Sequence, residues 1–166
     1  MMNKNSLIVT TPTDTEIVIT RLFVAPRPIV WRCWTEPALV RRWLLGPPGW
    51  TFETCEIDLH VGGSYRYVWR SADGATLGMR GTFTEVTPPS RLVDRQIFDE
   101  DWTGGETVGM LVFEEAGATT KLTSTFLYSS KAARDGALAT GMSEGMSAGY
   151  DRLDEILLSA VQSDSD

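Results

Sequence analysis

Residues 132–159, AARDGALATGMSEGMSAGYDRLDEILLS, decide how this chain is read. Gly141, Gly145 and Gly149 recur at every fourth position, and Met142, Met146 and Tyr150 follow the same spacing beside them. A spacing of four keeps side chains on one helical face, so a helix here carries a bare stripe next to a soft, polarisable one. Each interior glycine costs about 1 kcal/mol relative to alanine, a cost that close packing or deliberately open space has to offset. The segment is therefore expected to form one long helix over a cavity. Tight helix-on-sheet packing around a filled core is the plainer account of the same stripe.

Upstream, residues 50–128 break into strands of five to nine residues. Turn chemistry separates them at Gly62-Gly63, Asp73-Gly74, Pro88-Pro89, Gly104-Gly105 and Ala116-Gly117-Ala118. Six strands follow one another without a helix, and the β-branched alternation of residues 16–23 adds a first strand before them. Ala25-Pro26-Arg27-Pro28 ends that strand. Residues 29–35 and 37–44 then carry Val30, Trp34, Leu39 and Trp43 at helical spacing, and Gly46-Pro47-Pro48-Gly49 closes the pair as a rigid turn. Short connections imply antiparallel hairpins, whose apolar face needs a cover. The expected architecture is α+β: a seven-stranded, curved antiparallel sheet gripping a long C-terminal helix, with two short helices after the first strand. Residues 1–14 and 162–166 are polar enough to be flexible tails, leaving 15–161 as one domain.

Composition narrows the function classes. The 166 residues include 15 Lys and Arg against 22 Asp and Glu, a net charge of −7, and the basic residues form no stripe that could neutralise phosphates. Nucleic acid is excluded as a partner. No apolar run is long enough to span a bilayer. Cys33 and Cys55 are lone thiols in a chain that starts without a signal-peptide pattern, so a cytoplasmic location with both cysteines reduced is expected.

Reactive motifs are few. Residues 141–145 and 145–149 both match Gly-x-Ser-x-Gly, but a nucleophile elbow needs a strand-to-helix turn and a histidine base. Ser143 and Ser147 lie inside a helical run, and the one histidine, His60, is far upstream. Glu56, Asp58 and His60 alternate on what reads as one strand, about 7 Å apart at each step, too far to close on one ion unaided. No catalytic residue, metal site or cofactor is assigned. Tyr65, Tyr67 and Trp69 are more telling, because they share one strand face where a filled core would favour Leu, Ile or Phe. With Trp43, Phe83, Phe98, Met110, Phe126, Met142, Met146 and Tyr150 they are the candidate lining of an apolar cavity.

The ordered set Val30-Trp31, Trp34-Thr35-Glu36-Pro37, Arg42-Trp43, Gly46-Pro47-Pro48-Gly49, Asp58-Leu59, Gly62-Gly63, Asp73-Gly74, Glu85-Val86-Thr87-Pro88-Pro89 and Arg91-Leu92 resembles a known family. So do Ala133-Arg134-Asp135, Gly141-Met142, Glu144-Gly145 and Tyr150-Asp151-Arg152-Leu153. The family is the START-like, or SRPBCC, superfamily, in the branch named for activators of the 90-kDa heat-shock-protein ATPase. The resemblance runs from about Glu16 to Ser159 and implies a helix-grip fold with a hydrophobic cavity between sheet and long helix. Met146 stands where many relatives carry tryptophan, and His60 where arginine commonly follows the Asp-Leu pair. The resemblance implies that chaperone activation belongs to larger relatives with an additional domain, so that activity is not expected of this chain.

Three readings of function follow. The first is a binder of a hydrophobic or aromatic small molecule. The second is a cochaperone-like or homodimeric interaction module. The third is a cyclase or hydrolase using the same cavity, for which Asp58, His60, Glu85, Asp94 and Arg95 are the candidate proton-moving groups.

Overall fold

A computed structural model of the chain describes residues 7–45, 49–100 and 105–165, with side chains through 159. The alternation Ile17, Ile19, Arg21, Phe23 buries every second residue of β2 (Glu16–Phe23). Residues with that period form a half-covered antiparallel strand. The same logic gives β3 (Thr51–Ile57), β4 (Ser64–Arg70), β5 (Thr76–Thr87), β6 (Arg91–Phe98), β7 (Thr107–Ala116) and β8 (Thr119–Leu127). Every neighbouring pair is antiparallel, in the order β1-β2-β8-β7-β6-β5-β4-β3.

The sheet has eight strands, one more than expected. The extra one, β1 (Ile8–Thr10), lies in the segment expected to be a tail and pairs with residues 18–20 of β2. The apolar spot Leu7-Ile8-Val9 is enough to dock on an open strand edge. Leu7 also packs onto the core.

Between β2 and β3 the chain passes from one side of the sheet to its far edge. It carries α1 (Arg27–Thr35) and α2 (Pro37–Trp43) on the way. Pro28 and Pro37 stand in the first turns, where a missing N–H leaves no bond unmade. The expected Gly46-Pro47-Pro48-Gly49 turn lies for the most part outside the described residues.

The expected single helix is two. Ser130 caps α3 (Lys131–Ala139) by accepting a hydrogen bond from the Ala133 N–H at 3.0 Å. Gly141, at φ +77°, then separates it from α4 (Met142–Ser165). A left-handed residue cannot continue a right-handed helix, so this glycine ends one segment and starts another. Helix α4 runs on through the stretch from Gln162 expected to be a tail. No described helix is long and apolar enough to cross a membrane.

Candidate functional site

The concave sheet face, covered by the helices, divides into two ends. At one end Phe23 of β2 and Phe113 of β7 meet Trp31 and Trp34 of α1, Trp43 of α2 and Tyr150 of α4. The rings pack edge-on or tilted, with Phe23 and Tyr150 5.3 Å apart, Trp31 and Phe113 5.4 Å, and Trp34 and Trp43 4.6 Å. Trp43 donates its indole N–H to the Cys33 carbonyl at 2.8 Å. Arg21, 2% exposed, lies over the Phe23 ring at 4.8 Å and binds Asp154 of α4 at 2.8 Å and Asp151 at 3.3 Å. Burial pushes the Tyr150 hydroxyl up to about 12, so it stays neutral. This end is solid.

At the other end the strands supply Tyr65 and Tyr67 (β4), Met79 (β5), Asp94 and Gln96 (β6), Thr107 and Gly109 (β7) and Phe126 (β8). Cross-strand register sets them on one face. Ile17 pairs with Phe126, Phe126 with Gly109, Gly109 with Asp94, and Asp94 with Phe83, while Gln96 pairs with Gly81 and Gly81 with Tyr65. Met142 and Met146 approach from α4 and, like Tyr67, Met79 and Phe126, keep part of their surface accessible.

At its centre the Tyr65 hydroxyl donates to Asp94 Oδ2. The Gln96 amide donates weakly to the same carboxylate at 3.4 Å. Withdrawal from water pushes Asp94 up to about 6, against the hydrogen bonds from Tyr65 and Gln96, which favour its charged form. Burial, with the neighbouring carboxylate, holds the Tyr65 hydroxyl well above its ordinary value, and burial also raises Tyr67. Two strand glycines make the arrangement fit. A Cβ on Gly81 would run into the Tyr65 ring, and one on Gly109 into the Asp94 carboxylate and the Gln96 amide.

The candidate lining residues thus separate. Tyr65 and Phe83 are buried and continue the same core as Trp43 and Tyr150, while Tyr67, Phe98, Phe126, Met142 and Met146 keep part of their surface accessible toward the half-covered end. Trp69 sits elsewhere, stacked on Phe52 at 4.9 Å and donating to the Leu44 carbonyl at 2.9 Å beneath α2. Met110 pairs with Val93 and Thr125 on the opposite face from Gly109 and Leu111.

The glycine stripe also separates into three causes. Gly141 breaks the helix. Gly149 is buried where α4 lies against Trp43, and an added Cβ would sit 3.5 Å from the Trp43 carbonyl oxygen, an ordinary contact distance. Gly145, one turn earlier on that stripe, is exposed with open space where a side chain would be. A hollow of 160 Å³ lies outside the sheet–helix space, between α1, α2 and the end of α4, lined by Ile29, Arg32, Cys33, Leu39, Arg42 and Ile156 among others.

Of the five proton-moving candidates, Asp94 alone faces the concave space. Strand β3 ends at Ile57, so Asp58 and His60 share no strand with Glu56. They lie in the following loop, exposed and bonded to each other at 3.0 Å. Glu85 pairs with Arg91 at 2.9 Å, and Arg95 is exposed. Ser143 and Ser147 are inside α4.

Residues 24–158 match the family model described as activator of Hsp90 ATPase homolog 1-like protein. The chain belongs to this family. Among solved structures, a Rhodobacter sphaeroides protein shares 30% identity, covering 93% of this chain and 99% of that one at a TM-score of 0.87. An Arthrobacter aurescens protein solved by NMR is 28% identical, with 95% and 93% coverage and a TM-score of 0.78. A relative from Aeromonas hydrophila described as AHSA1-like, at 22% identity, 85% and 93% coverage and a TM-score of 0.69, shares the fold. No curated protein matches.

Within this family architecture, sequence reasoning missed the link between Tyr65 and Asp94 and the part played by Gln96. One signal was available. Gly81 and Gly109 interrupt strand patterns, and a strand glycine marks a close approach by something bulky. It does not say what approaches, which the register supplies.

Proposed function

We propose that this family member binds an apolar or aromatic small molecule on the half-covered end of the concave face, between the sheet and the start of α4. One observation carries the reading. A sheet that closes its other end with six interlocked rings leaves Tyr67, Met79, Phe126, Met142 and Met146 partly accessible around a withdrawn carboxylate. Apolar concavities with a few convergent polar groups are what small-molecule sites look like. Methionine adapts its shape to a ligand at little cost. A cytoplasmic setting fits the free thiols Cys33 and Cys55, since burial pushes Cys33 up to about 11 and keeps it protonated and inert.

The enzyme reading has only Asp94 to work with, and a lone carboxylate without a facing acid or nucleophile suits positioning better than proton transfer.

Native mass spectrometry of the purified protein, together with titration of the neutral fluorophore N-phenyl-1-naphthylamine, tests the proposal. Saturable one-to-one binding, weakened by Met146→Trp, is expected. No co-purified molecule and no saturable fluorophore binding would overturn it.

A further inference from the structure

We infer that the half-covered end of the concave face selects molecules carrying an ammonium group on an aromatic or otherwise apolar body, with the Asp94 carboxylate as counter-ion. This rests on the binding reading above and narrows it to a chemical class.

The argument starts from the cost of the carboxylate. A charge withdrawn from water among tyrosine, phenylalanine and methionine side chains is unfavourable unless an opposite charge meets it. Elsewhere this protein supplies one: buried Arg21 holds Asp154 and Asp151, and buried Arg134 holds Asp135 at 2.8 Å. Asp94 differs. Among the described residues no Lys, Arg or His forms an ion pair with it, and its donors, Tyr65 and Gln96, are both neutral. Neutral donors stabilise a carboxylate but leave its net charge in place.

The groups facing it are uncharged on every neighbouring element. They are Tyr65 and Tyr67 on β4, Gly81 and Phe83 on β5, Gln96 on β6, Thr107 and Gly109 on β7, and Phe126 on β8. From α4, Met142 and Met146 pack on the same apolar cluster as Phe126. Among the described residues, the formal charge facing this end of the sheet is thus a single negative one. Tyr65 and Tyr67, with ring centroids 4.8 Å apart, border it. Aromatic faces attract cations, so an ammonium entering here meets a carboxylate and π-faces together. A neutral alcohol of the same shape gains only a hydrogen bond, and an anion is repelled.

Three probes of one shape test this: tryptamine, tryptophol and indole-3-acetate, by calorimetry and by amide chemical-shift mapping at about pH 7.5. Tryptamine is expected to bind about tenfold tighter than tryptophol, a factor typical of one charge-assisted contact, and indole-3-acetate not to saturate. Shifts should centre on Gly81 and Gly109. Asp94→Asn should erase the amine's advantage. Lowering the wild type to about pH 5, where Asp94 takes a proton while tryptamine stays charged, should erase most of it as well. The pH comparison decides the matter should the variant fail to fold. Equal binding of tryptamine and tryptophol, an advantage that survives Asp94→Asn or acid, or shifts centred elsewhere would each overturn the inference. Failure of all three probes overturns it too. If N-phenyl-1-naphthylamine still saturates, the binding reading stands without it, and if that also fails, both fall.

Discussion

The two ends of the concave face use the same residue types to opposite effect. Around Phe23, Phe113, Trp34, Trp43 and Tyr150, aromatic rings meet one another from five elements, and the one charge in their midst, Arg21, is tied to α4 by two carboxylates. Around Tyr65, Tyr67 and Phe126, rings line a surface that methionines half cover, and the charge, Asp94, has only neutral partners. Aromatic content alone does not distinguish core from site. What differs is whether a helix brings its own rings and counter-charges to complete the contact. At the solid end α1, α2 and the Tyr150 turn of α4 do so, and at the other end the Gly145 turn brings neither.

The sharpest way to break that contrast is to truncate one ring at each end. Phe113→Ala removes a side chain 1% exposed and should cost about 3–5 kcal/mol in chemical denaturation. Phe126→Ala, on the accessible end, should cost less than half as much while weakening fluorophore binding. Equal losses would mean that the two ends are one continuous core.

Asp94 gives the next largest effect, with a definite sign. Its folded value, about 6, lies above the about 3.9 of an unfolded aspartate, so between those limits the folded state holds more protons than the unfolded one. Stability from this group is therefore full below about pH 4 and declines as pH rises through about 6, by about 2–3 kcal/mol in all. Asp94→Asn should be more stable than the wild type at pH 7, match it near pH 4, and show a flatter profile between. A variant less stable at pH 7 would mean that a cation already compensates the carboxylate.

Much of this was legible in the sequence, and the failures share a cause. Strand alternation gave the facing of Tyr65 and Tyr67, and the proline and glycine punctuation gave the element order. Period two could not place Met110, because a strand partly covered on both faces carries apolar residues on both. The glycine stripe was read as one feature because spacing reports which helical face a residue occupies and not what lies opposite. Strand β1 was missed since three residues are too few for a periodic signal and gain their stability from an edge formed elsewhere. The Tyr65–Asp94 bond joins residues 29 apart in sequence, and nothing local announces it.

The smallest effect separates the stripe most cleanly. Gly141→Ala forces a side chain into φ +77° and should destabilise by about 1–2 kcal/mol. Gly145→Ala, with open space at the Cβ position, should stabilise α4 by up to about 1 kcal/mol, since alanine loses less backbone freedom on folding. Helix propensity therefore argues for alanine at 145, and glycine there serves the helix in no way that packing explains. Thermal denaturation reads the stability of both variants, and fluorophore titration of Gly145→Leu reads the purpose of the gap. If leucine leaves binding unchanged, the bare turn has no part in the site. If it blocks binding without loss of stability, Gly145 is where the helix gives up propensity to keep a ligand's place open, in contrast to Gly149 one turn on, which is buried against Trp43.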